Sequence, residues 1–84
     1  LKNWQAALSR FASALVLDPE NPDVYWGLAE AQRNLRQFAA AKQNYLKVIA
    51  YDPDSNHSKE AHKILRQPEF ESISAAAPAA SAQK

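Results

Sequence analysis

The sequence predicts an all-α protein of stacked helical hairpins closed by a capping helix, and three observations carry that prediction. The dipeptide Asp18-Pro19 returns as Asp52-Pro53, 34 residues later, and a fixed period of this length marks a repeat architecture. Displacing the chain by the same interval pairs Trp4 with Phe38, Ala7 with Ala41, Phe11 with Tyr45, Ala14 with Val48 and Leu17 with Tyr51. Aromatic and small positions thus fall into step. Between the proline signals apolar residues recur at helical spacing, and no stretch alternates as a strand would.

The first helix is expected over Asn3–Leu17, ended by Asp18-Pro19 because the residue before a proline is driven out of the α region and proline lacks a donor. Asn21-Pro22-Asp23 is cap chemistry and starts a second helix over Pro22–Leu35. Gly27, the single glycine, lies inside this helix at a cost of roughly 1 kcal/mol relative to alanine, so a close approach of another helix is expected there. Arg36-Gln37 makes the hairpin turn, and a third helix follows over Phe38–Tyr51 until Asp52-Pro53 stops it. Ala7 and Ala41 are small where two helices meet closely, and Phe11 and Tyr45 project from the same faces one turn later. After the turn residues Asp54-Ser55-Asn56 a fourth helix is expected over Ser58–Gln67. Continued in strict register it would put Lys59, His62, Lys63 and Arg66 in the core; its apolar residues are instead Ala61, Ile64 and Leu65. One apolar stripe under a charged face describes a capping helix. Residues 68–84, rich in Ser, Ala and Pro, have no apolar periodicity and are expected to be disordered, with Phe70 as the one residue able to anchor the tail elsewhere.

These residues resemble the tetratricopeptide repeat, whose pattern sets Trp, Leu-Gly, Tyr, Ala, Phe and Pro at fixed offsets within about 34 residues. Tyr25, Leu28 and Ala29 match its first helix and Ala41, Tyr45 and Pro53 its second; upstream, Trp4, Ala7, Phe11, Ala14 and Pro19 match the second half of a preceding unit. The resemblance covers residues 3–54 and implies a right-handed α-solenoid fragment. It divides the chain into half a repeat (1–20), one complete repeat (21–54), a capping helix (55–67) and a tail (68–84), read as the C-terminal end of an array. With no methionine anywhere, the chain is expected to be a fragment or a processed form. The departure from the family pattern lies in the turn, where Arg36-Gln37 replaces the usual glycine.

Composition excludes several chemistries. Ten Lys and Arg against nine Asp and Glu leave a formal charge of +1 without a basic stripe, so nucleic acid is not the expected partner. The candidate recognition face Gln32, Arg33, Asn34, Arg36 and Gln37 straddles a hairpin turn, which a reading helix in the major groove could not do. No cysteine is present, a lone glycine cannot form a phosphate-binding loop, and no Gly-x-Ser-x-Gly elbow occurs. His57 and His62 are five residues apart, whereas ligands on one helix face need three or four, so no metal is expected. The carboxylates Asp18, Glu20, Asp23, Asp52 and Asp54 fall in turns, where they cap helices. No enzyme and no cofactor are predicted. No apolar run reaches the roughly 18 residues of a membrane span, and the start Leu1-Lys2-Asn3-Trp4 is not a signal peptide.

What remains is binding. The resemblance implies that first helices line a concave groove for a protein or peptide ligand, and the residues of the second helix outside the core seam, Asp23, Trp26, Glu30, Arg33 and Asn34, form one stripe by helical spacing. His57 and Glu60 extend it on the capping helix. Family members that clamp a chaperone carboxylate terminus carry Lys and Asn where this chain has Trp26 and Glu30, and Glu30 is expected to repel such a ligand. The alternative is self-assembly into a homo-oligomer. The first helix lacks its own hairpin partner, and its apolar residues Trp4, Leu8, Phe11 and Leu15 would lie partly in water.

Overall fold

The structure is a computed structural model and describes residues 3–73. Among these there are five helices and no strand: α1 Trp4–Leu17, α2 Pro22–Asn34, α3 Phe38–Tyr51, α4 Asn56–Leu65 and the single turn α5 Pro68–Glu71. The first three follow the punctuation of the sequence. Asn3 and Asn21 cap α1 and α2, accepting from the amides of Ala6 and Asp23, and Pro22 sits at the start of α2, where its missing donor is not needed. At the end of α2 Arg36 adopts φ 63°, and the Gln37 and Arg36 amides donate to the carbonyls of Gln32 and Arg33. This is a Schellman ending with arginine in the left-handed position that glycine usually fills. The Arg36 guanidinium in turn lies 5.4 Å from the centre of the Phe38 ring.

Successive helices pack in chain order, α1 on α2, α2 on α3 and α3 on α4. Two apolar clusters result. Val24, Tyr25, Leu28 and Val48 form the first, covered by Leu8, Phe11, Ala14 and Leu15 of α1; Ala29, Ala41, Tyr45, Ala61, Ile64 and Phe70 form the second. The close approach expected at Gly27 is that of Phe11, since a Cβ on Gly27 would lie 2.5 Å from ring atoms Cε1 and Cζ. Tyr25 fixes the α1–α2 turn by donating to the Pro19 carbonyl at 2.7 Å, and its ring stacks on Tyr51 at 5.6 Å.

The 34-residue interval shows what α1 lacks. Its counterpart α3 buries Ala41, Tyr45 and Val48, whereas α1 buries no residue. Tyr51 rests on Tyr25 of its hairpin partner, while Leu17, in the same register, is 87% exposed and its neighbour Val16 82%. Of the face assigned to self-association, Leu8, Phe11 and Leu15 already pack on α2 and Trp4 is half-buried. The sequence reading overlooked that α2 covers α1 from one side as the next helix of the stack.

At the other end two boundaries move. The fourth helix begins at Asn56 rather than Ser58, because Ser55 is the cap and accepts from the Ser58 amide at 3.0 Å. Ser58, Ala61 and Ile64 face inward, confirming the shifted stripe and adding to it a buried serine whose hydroxyl has no hydrogen-bond partner. The disorder expected from residue 68 onward does not begin there. Pro68 opens α5, Phe70 is wholly buried, and the Lys42 ammonium donates to the carbonyls of Phe70, at 3.0 Å, and Ile73. Burying a phenylalanine contributes about 1.5–3 kcal/mol and each charge-assisted bond about 1.5–3 kcal/mol. Ordering the backbone costs roughly 1–2 kcal/mol per residue, so this short segment is held near balance. The remainder of the expected tail, 74–84, lies outside the described residues.

Candidate interaction groove

The side chains of the predicted stripe assemble in two groups joined by one tyrosine. In the first, the His57 imidazole on α4 lies flat on the Trp26 indole of α2, with centroids 4.4 Å apart and planes 4° from parallel. Asp23, one turn before Trp26, places Oδ1 3.5 Å from His57 Nδ1. Two successive first-helix positions are thereby clamped across the layer. Stacked aromatic pairs contribute about 0.5–1.5 kcal/mol beyond the area they bury.

In the second group both Glu30 oxygens are engaged. Arg33 Nη2 donates to Oε1 and the Tyr45 hydroxyl donates to Oε2, each at 3.0 Å, while Arg33 Nε donates to the Tyr45 oxygen at 3.0 Å. Burial raises the Tyr45 phenol above its ordinary range, the Glu30 charge raises it further, and Arg33 opposes. For Arg33, burial lowers the guanidinium pKa, but Tyr45 and Glu30 outweigh it and the net shift is upward. Arg33 therefore stays charged and Tyr45 a neutral phenol at physiological pH. The repulsion expected of Glu30 toward a ligand carboxylate is offset on the spot by Arg33. Asp23 is the less compensated charge: its side chain is 81% exposed and meets only half-exposed His57.

Tyr45 links the groups, since the Trp26 ring meets it edge-on at 5.5 Å. Asn34 belongs to the stripe by spacing but folds back, its amide donating to the Glu30 carbonyl at 2.8 Å. Glu60 is exposed one turn beyond His57 and makes no hydrogen bond or ion pair with the other six residues. Sequence reasoning missed Tyr45, treating it as core alone. A signal existed, because the register that carries Phe11 in the first unit carries a hydroxyl in the second, and a buried tyrosine tip seeks a polar partner. The Asn44 amide, which donates to Gln32 Oε1 at 2.6 Å, had no such signal.

Among the described residues no three His, Cys, Asp or Glu side chains converge as a metal site, and no helix is long and apolar enough to cross a membrane. A shallow depression on the far side of α3, lined by Gln43, Leu46, Lys47, Ala50 and Tyr51, comes from one helix and encloses nothing.

Comparison with known proteins agrees with this architecture. Residues 1–67 match the family profile described as Tetratricopeptide repeat. Over 55 residues, 66% of this chain, the sequence is 38% identical to Tetratricopeptide repeat protein 16 of Mus musculus, of which the match spans only 7%. No solved structure matches. The period, the hairpins it encodes and the match over most of its length show that the chain belongs to the tetratricopeptide-repeat family, whose repeats are generally modules for binding other proteins.

Proposed function

We propose that this chain holds a peptide or helix of another protein along the stripe Asp23, Trp26, Glu30, Arg33, Asn34, His57 and Glu60, without catalysis. The observation that carries the reading is the Trp26–His57 stack. A large aromatic that packs on the edge of both core clusters stays half-buried, is backed by Tyr45 and reaches a second helix, which is the character of an interface anchor. Glu30, Arg33 and Tyr45 make a rigid neutral wall beside it, and the exposed carboxylates of Asp23 and Glu60 favour a ligand with basic residues. Ligands selected from a displayed peptide library against the full chain test this. They should shift Trp fluorescence and bind Trp26→Ala and Arg33→Glu variants more weakly. Ligands that bind both variants as well as the parent sink this contact set.

A second reading, self-assembly through α1, is favoured by the contrast between α1 and α3. Leu17 lacks the neighbour that Tyr51 has, and a helix from another copy would supply it. Sedimentation equilibrium should show association that Leu17→Glu abolishes; a parent chain that stays monomeric at high concentration removes this reading.

A further inference from the structure

Residues Pro68 to Ile73 are seated on the bundle by one ring and two carbonyls. Phe70 meets Phe38 edge-on at 5.4 Å and Tyr45 at 5.8 Å, and joins the cluster of Ala41, Ala61 and Ile64. Lys42 donates to the Phe70 and Ile73 carbonyls, satisfying the exposed end of the α5 turn. Glu69 and Glu71 are exposed, and the Ser72 hydroxyl donates back to the Pro68 carbonyl within the segment at 3.4 Å. The site therefore reads an aromatic ring and the carbonyl end of a helical turn, and nothing else of the segment. The hinge behind it, Arg66-Gln67, is short and exposed, and the segment is held near balance by its single anchor.

We propose that the α3–α4 face beneath Phe70 is an interaction site for a phenylalanine-bearing helical turn, and that its occupant in trans is the Pro68–Ile73 segment of a second copy, exchanged reciprocally between two chains. The second copy is the occupant because this segment is the one shown to fit, and every copy carries both site and ligand. Exchange re-forms the same ring contacts and the same Lys42 bonds, so it costs little beyond the association itself. The surface is distinct from the groove and from the open side of α1. It communicates with Trp26 through Tyr45, which touches both Phe70 and Trp26, so Trp26 reports its occupancy.

The test uses the full chain carrying Trp4→Phe, which leaves Trp26 as the single tryptophan, excited selectively beyond the tyrosine band, with and without Phe70→Ala. A capped synthetic peptide spanning residues 66–73 should bind the Phe70→Ala chain saturably. It should bind the chain that retains Phe70 at least about twofold more weakly, because a segment held near balance fills the site in about half of the chains or more. Adding Lys42→Gln to the Phe70→Ala chain should weaken the peptide again. Sedimentation of the chain with Phe70, refolded at high concentration, should show a dimer that Phe70→Ala abolishes. Absence of peptide binding to a Phe70→Ala chain of unchanged helix content overturns the proposal. So does equal binding to both chains, and so does a dimer that survives Phe70→Ala, which would instead belong to α1. Should Phe70→Ala fail to fold, amide exchange in the parent decides. Phe70, Glu71 and Ile73 amides should exchange faster than those of α3, and Lys42→Gln should accelerate only the former; uniform rates overturn the exchange.

Discussion

Replacing Gly27 by alanine has an effect whose sign depends on a residue in another helix. In the interior of α2 the substitution alone should add about 1 kcal/mol, the difference in helix propensity. The new Cβ, however, would lie 2.5 Å from Cε1 and Cζ of Phe11 and 2.7 Å from Cε2, closer than such atoms ever approach. Overpacking of this kind costs about 1–3 kcal/mol. Phe11 is half-buried, so its ring can swing toward water, but it then gives up contact with the Val24, Tyr25 and Leu28 cluster. The clash wins, and Gly27→Ala should destabilise by about 1 kcal/mol net. In a Phe11→Ala background nothing opposes the propensity gain, and the same change should stabilise by about 1 kcal/mol. Urea unfolding of the four chains, followed by far-UV circular dichroism, gives a coupling energy of roughly 1–3 kcal/mol if the α1–α2 contact is as described. Equal effects of Gly27→Ala in both backgrounds would refute the close approach.

Ser58→Ala should stabilise by about 1 kcal/mol in the same assay, because it removes a buried hydroxyl without a partner and keeps the amide bond to Ser55; a loss of stability would mean the hydroxyl is satisfied. At Arg36, φ 63° favours glycine, so Arg36→Gly should be more stable than Arg36→Ala by roughly 1 kcal/mol, both having lost the contact with Phe38. Equality of the two would show that the left-handed turn is not formed. Tyr45→Phe should cost about 1–3 kcal/mol at neutral pH through loss of the bonds to Glu30 and Arg33. The folded chain holds the Tyr45 proton more tightly than the unfolded one, so that contribution is full below the ordinary phenol pKa of about 10 and is lost as pH rises through the folded value. The parent should therefore lose its advantage over Tyr45→Phe in alkaline solution, and a gap that widens there contradicts the burial of this phenol.

How much was legible in the sequence varies along the chain with the length of the pattern. Helices α1, α2 and α3 end where Asp-Pro and the Arg36 turn require, because proline and cap chemistry act over one or two residues whatever the tertiary context. The start of α4 slipped because Ser55 and Ser58 are both competent caps, and only packing shows that the second faces inward. The burial of Phe70 escaped because a single helical turn carries no periodicity; its ring meets Phe38 and Tyr45, and a lysine 28 residues earlier in the chain holds its carbonyl. The stripe from Asp23 to Arg33 was visible by spacing, whereas its internal pairing was not. That Glu30 is matched by Arg33 and Tyr45, and that Asn34 turns back on its own helix, depends on rotamers and on a neighbouring helix.

Lys42 stands in the register that Leu8 occupies one repeat earlier. Leu8 presents aliphatic surface and is met by the flank of another helix; Lys42 presents an ammonium and is met by the carbonyl tip of a turn. Both second helices have the next helix packed on them, and Lys42 adds to α3 a place where the end of a turn is held as well. Replacing Lys42 by leucine and removing α5 would give this position back the aliphatic surface that Leu8 presents one repeat earlier.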